Sequence, residues 1–261
     1  MKTFTFVAFL MLVSVLAFAQ KPVRFGVYVG EATPFGQMGE GDEIQTTGVN
    51  AFQGLENYAL FNENGKQGYA GYGFNMGFDV TVNLPVKGLG VFGGVDFFYN
   101  SNSSYIRDAY EELSVYMVAG DPLLAEYSYN LPNFMNIPIL FGVNYQYDFN
   151  HIVGLFCEAG VGPNFRVISG CEATEKYVGL PDVKITYNYD TATTLGFKIG
   201  AGVMMWNRMS IVADFYSLGS AKINWTEKGE NVPILGNYEE NFKGKNDISA
   251  SELVVRVGYH F

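Results

Sequence analysis

Eight stretches of this chain alternate their side chains with a period of two, and one face of every stretch is free of charge. Period two is the signature of a β-strand, whose successive side chains point to opposite faces. The stretches fall near 22–31, 72–84, 90–100, 133–148, 152–168, 193–206, 209–225 and 250–261. The first presents Phe25, Val27 and Val29 on one side, the second Phe74, Met76, Phe78 and Val80, the sixth Leu195, Phe197 and Ile199. The eighth presents Leu253, Val255, Val257, Tyr259 and Phe261. A lysine or arginine facing mid-bilayer lipid costs about 2–4 kcal/mol, so an uncharged face on every strand is what lipid contact demands.

The opposite face carries Arg24, Asp79, Asp96, Asp148, Glu158, Arg166, Lys198, Asp214, Lys222, Glu252 and Arg256. Six acids stand against five bases. Near balance suits an enclosed interior, where an unpaired charge is very costly. The pattern predicts an all-β fold, an antiparallel up-and-down transmembrane β-barrel of about eight strands. Its interior is expected to hold a charge network of Arg24, Asp79, Asp96, Glu158, Lys198, Asp214, Glu252 and Arg256. Strands one and eight must meet to close the barrel, which places Arg24 near Glu252 or Arg256. Strands five and six are neighbours, which brings Glu158 to Lys198.

The connections alternate in length. Long ones follow the odd segments, near 32–71, 101–132, 169–192 and 226–249; tight turns follow the even ones, at 85–89, at Asn150 and His151, and at Asn207 and Arg208. Short turns at one end and long loops at the other are the plan of membrane barrels, and an even strand number leaves both chain ends on the side of the tight turns. Aromatic rings gather where strands end, at Tyr145, Tyr147, Phe149, Trp206, Tyr259 and Phe261, the depth that amphipathic rings prefer. The long segments are acidic, with Glu40, Asp42, Glu43, Glu56 and Glu63 in the first and Asp108, Glu111, Glu112, Asp121 and Glu126 in the second. Such loops suit cations bridging lipopolysaccharide, or simple solvation.

The first residues follow a different rule. Lys2 precedes an apolar run from Phe4 to Phe18, and Ala17 and Ala19 supply the small residues of a cleavage site. This predicts a signal peptide over 1–19, cut before Gln20, with 20–261 as the barrel domain. The run is shorter than the ~20 residues of a membrane helix. With 22 Phe, 18 Tyr and 31 Gly, the composition fits twisted antiparallel sheet. The net charge of −10 argues against nucleic acid as a partner, since its binders are usually basic. Cys157 and Cys171 are expected as free thiols, and two Cys with two His at scattered spacing form no zinc pattern. No metal or cofactor is implied.

The final run, Leu253-Val254-Val255-Arg256-Val257-Gly258-Tyr259-His260-Phe261, alternates and ends on Phe. It resembles the terminal signature of outer-membrane barrels, in which Leu253, Val255, Val257, Tyr259 and Phe261 would form the signal read by the barrel assembly machinery. Asn136-Ile137-Pro138-Ile139-Leu140 and the run 195–203 are similar to the small porin-like outer membrane protein β-barrel family, akin to the OmpA transmembrane barrel. The resemblance covers 22–261. It implies export to a Gram-negative outer membrane, with lipid and lipopolysaccharide around the barrel and an unidentified extracellular partner at the loops. It includes no peptidoglycan-binding domain, so it does not imply cell-wall anchoring.

Other chemistry is weaker. Gly88-Leu89-Gly90-Val91-Phe92-Gly93 matches a nucleotide-binding glycine pattern, but a strand-like segment follows where a helix must open. Outer-membrane enzymes commonly use a histidine base, yet His151 and His260 both fall at the tight-turn end. The sequence reads as a structural or loop-interaction barrel, plugged by charge pairs, and not an enzyme. A narrow passive porin is the alternative reading, and an outer-leaflet lipid-modifying enzyme a third.

Overall fold

The computed structural model describes residues 23–39, 70–150, 152–244 and 247–261. The signal segment, His151 and the acidic residues 40–63 lie outside the described residues. The elements run β1 (Val23–Phe35), β2 (Ala70–Asn83), β3 (Leu89–Asn102), α1 (Ser104–Gly120), β4 (Leu124–Asn130), β5 (Phe134–Asp148), β6 (Val153–Ile168), β7 (Cys171–Tyr177), β8 (Val183–Tyr189), β9 (Ala192–Met205), β10 (Met209–Lys222), β11 (Trp225–Val232), β12 (Gly236–Phe242) and β13 (Asp247–His260). Eight of the strands close a barrel in the order β1-β2-β3-β5-β6-β9-β10-β13, with β13 pairing back onto β1. Every pairing is antiparallel. Each alternating stretch of the sequence has become one barrel strand.

The pleat sorts the two faces. Val29, Phe141, Val161, Ile199, Val255 and their row-mates stand exposed on the outer wall, while Phe92, Phe98, Asp96, Glu158, Lys198, Asp214, Tyr216 and Arg256 are buried in the lumen. An eight-stranded barrel has room inside for side chains and little more, so large groups need small ones opposite. A Cβ on Gly30 would lie 2.7 Å from the Cβ of Arg256, and one on Gly160 would lie 2.9 Å from the Phe92 ring. Gly88 does a different job. It holds φ +81° in the β2–β3 turn, a conformation glycine adopts without steric cost, and a strand follows it, so the glycine pattern is a turn.

Two outward-facing charges correct the sequence reading. Glu31, at the end of the expected first stretch, has the same parity as Phe25, Val27 and Val29 and is exposed with them, and β1 runs four residues further, to Phe35. An acid on the lipid face costs less than a base. Lys222, placed inward by strict alternation, is exposed. A β-bulge between Ser217 and Ser220, with Gly219 at φ +75°, shifts the register of β10, and an extra residue reverses the facing of everything beyond it.

The long connections, read from sequence as loops, contain a helix and a second sheet. The sheet has the order β12-β11-β8-β7-β4. These strands adjoin β13, β10, β9, β6 and β5 in the chain, so the sheet continues one side of the barrel wall past the rim. Helix α1 packs on its inner side. Ile106 is fully buried with Phe98, Phe134, Tyr216, Leu218 and Ile248 of the barrel mouth. Tyr110 stacks on Tyr129 of β4, with centroids 4.2 Å apart.

Candidate functional site

Mid-barrel, two cations face four carboxylates. Arg256 of β13 lies at the centre. Its Nε donates to Asp214 Oδ2 at 2.5 Å. Its Nη2 is paired with Glu158, its Nη1 lies 3.8 Å from Asp96, and its guanidinium stacks 4.0 Å from the Tyr28 ring centroid. Lys198 of β9 donates to Glu158 at 2.8 Å and lies 3.8 Å from Asp96. Asp79 accepts from the Tyr28 hydroxyl, and Asp96 accepts from Tyr216 at 3.1 Å. Arg256 and Asp214 are 1% and 0% exposed, so water screens none of this.

The remaining sequence-predicted residues fall elsewhere. Arg24 donates to Gln146 at 2.7 Å at the tight-turn end, in a cavity of about 640 Å³ that His260, Asn207 and Arg208 also line. It does not meet Glu252 or Arg256. In the β1–β13 register those two stand opposite Pro34 and Gly30, well up the strand from Arg24. Glu252 sits a layer above the network, fully buried, beside Asn100 and near the charge of Arg166. Arg166 itself donates to the Ile248 and Gly219 carbonyls at 2.8 and 3.0 Å and to Asn136 at 3.3 Å. Asp148 is exposed at the rim. Leu253, Val255, Val257, Tyr259 and Phe261 all face outward. His260 is buried inside, with Nε2 3.0 Å from Ser210 Oγ.

Sequence reasoning missed the phenols. Tyr28 and Tyr216 cap carboxylates and pack against the cations, and their inward parity in β1 and β10 was the available signal. It also missed the sheet beyond the rim. There Lys176 pairs with Glu126 at 2.8 Å, Lys228 with Glu239 at 3.1 Å and Lys184 with Glu172 at 3.7 Å. Tyr238 donates to Glu227 at 2.6 Å, and Tyr177 to Glu175 at 2.8 Å. Burial and the Glu227 hydrogen bond push Tyr238 up to about 12, and the hydrogen bond to Glu175, with burial, does the same for Tyr177. Both phenols stay neutral donors. Burial also pushes the Cys171 thiol up, which makes it a poor nucleophile; its Sγ lies 3.5 Å from the Tyr129 and Tyr189 hydroxyls. Both cysteines are free, Cys157 on the outer wall. Among the described residues, no group of three or more His, Cys, Asp or Glu is arranged to hold a metal ion.

A closed eight-stranded wall, apolar outside and charged within, defines an integral β-barrel of the outer membrane. Residues 5–261 match the outer membrane protein beta-barrel domain, and the chain belongs to that family. No curated protein matches it. Among solved structures, it is similar to a major outer membrane protein from Thermus thermophilus, at 15% identity and TM-score 0.42, covering 92% of this chain and 99% of that one. It is also similar to Ail, the attachment invasion locus protein of Yersinia pestis, at 11% identity and TM-score 0.37, covering 92% and 99%. OprG from Pseudomonas aeruginosa gives 9% identity and TM-score 0.41, covering 93% and 98%. At these values the family match alone carries the assignment.

Proposed function

We propose that this is a sealed outer-membrane barrel whose role is interaction, carried by the sheet beyond its rim, on the cell exterior. The observation that supports the seal is the burial of inward side chains on β9, β10 and β13 from beside the tight turn up through the charge network. Met204, Val212, Asp214 and Tyr216 are 0% exposed, and Arg256 is 1%. The cavity at the tight-turn end shares no lining residue with those at the other end, of about 470 and 540 Å³. A passive pore would need water along this path. An outer-leaflet enzyme would need a base at the long-connection end, and His260 lies at the other.

In this reading the tight turns are periplasmic, the signal peptide directs export, and the outward row of β13 ending at Phe261 is what the assembly machinery binds. Lipid and lipopolysaccharide contact the wall, and a protein partner contacts the loops. Protease added to intact cells is expected to cut at the exposed hairpin tips, near Val178–Leu180 and Ile234–Leu235, which are 58–106% exposed, and to spare the barrel strands. Cleavage only after the outer membrane is permeabilised would place the sheet on the periplasmic side and overturn the reading.

A further inference from the structure

The sheet beyond the rim separates its charges by face. Register puts paired residues on the same side. One side, continuous with the polar surface, holds Lys176, Lys184 and Lys228, and each lysine is paired with a glutamate. The other side is the inner one, where Tyr129 meets α1. Tyr127 and Tyr129 on this side pack against the core that α1 helps to form; the rest of it presents Tyr177, Tyr187 and Tyr238 with Glu175, Glu227 and Glu240, and no lysine or arginine among the described residues of the five strands. Glu227 and Glu240 are direct cross-strand partners. Like charges directly opposite destabilise a strand pair. The neighbouring pair on the outer side, Lys228 and Glu239, has opposite signs. The inner face thus keeps an unfavourable pair that the outer face avoids.

We propose that this inner face binds a cationic polypeptide segment, its arginines and lysines seated between the carboxylates and the tyrosine rings. This names the partner class for the interaction role proposed above and rests on that reading. Charge complementarity selects the occupant. Glu240 is exposed, and Glu175, Glu227, Tyr187 and Tyr238 are half-buried, so the groups are reachable. Aromatic faces and carboxylates both attract a cation, whereas an anionic ligand meets uncompensated negative charge. The carboxylates span β7 to β12, three strand spacings, about 14 Å at ~4.8 Å each. One metal ion or small amine cannot bridge that distance, while an extended chain with several cationic side chains can.

The test uses the full-length protein in detergent, a fluorescein-labelled nonaarginine peptide and low salt. Two variants remove the same charge from opposite faces. Glu175→Gln/Glu227→Gln/Glu240→Gln alters the inner face, and Glu126→Gln/Glu172→Gln/Glu239→Gln the outer. Saturable binding is expected for the unaltered protein, weakened about tenfold or more by the inner variant and less than about twofold by the outer. The inner variant also relieves the Glu227–Glu240 repulsion, so its thermal stability should hold or rise, which separates lost binding from lost fold. Equal weakening by both variants, or no binding at all, overturns the proposal. Binding to purified protein does not depend on which side of the membrane the sheet occupies, so this failure and that of the cell-surface reading are distinguishable.

Discussion

Replacing Arg256 by Met is expected to destabilise the folded barrel by about 3–5 kcal/mol, the cost of breaking a buried ion pair from one side. Among the described residues, Arg256 is the one group that touches Glu158, Asp214 and Asp96 together. Without it, Lys198 remains within 4 Å of Glu158 and Asp96, and Asp214 loses its only ion-pair partner among the described residues. Methionine fills much of the same space, so packing changes little and the loss reports electrostatics. Adding Asp214→Asn should recover part of it, giving a coupling energy in a double-mutant cycle. Lys198→Met should cost less, because Glu158 keeps Arg256. Denaturant unfolding in detergent reads all of these. A silent Arg256→Met would mean that the lumen is wet and the charges are solvated.

The second large effect lies on the other face. Ile199 stands in the middle of β9 on the outer wall, 55% exposed, between Phe215 of β10 and Ala159 of β6. Ile199→Arg is expected to cost about 2–4 kcal/mol in a bilayer, because the guanidinium meets hydrocarbon there. At a water-facing position the same change would fall within about 0.5 kcal/mol. Unfolding titrations in lipid vesicles measure the difference. A neutral result would mean that this wall faces water or another protein.

Both effects depend on the part of the fold that was legible in the sequence. Lipid outside and a packed lumen inside force strict alternation, so eight strands and three tight turns could be read from residue type alone. The Glu158–Lys198 contact followed from adjacency, since β6 and β9 pair with Glu158 opposite Gly200 and Lys198 opposite Gly160. The Arg24 placement failed because adjacency fixes which strands meet and not at what height. Lys222 failed because a bulge at Gly219 leaves the pattern of residue types unbroken. Beyond the rim the solvent is water on both sides, and a sheet there needs no uncharged face. The Tyr127/Tyr129 and Tyr187/Tyr189 alternations were visible, but their pairing is set by partners far along the chain. In α1 the apolar residues Ile106 and Tyr110, at helical spacing, lie among Arg107, Asp108, Glu111 and Glu112, a signal too short to stand out.

The central claim is that the lumen is sealed, and ion conduction tests it most directly. Purified protein inserted into a planar bilayer in concentrated potassium chloride should show no unitary current steps, because buried inward side chains from Met204 and Val212 through the Arg256 network to Tyr216 occupy the path. Reproducible steps from the folded monomer, lost on heating, would contradict it and make the protein a pore.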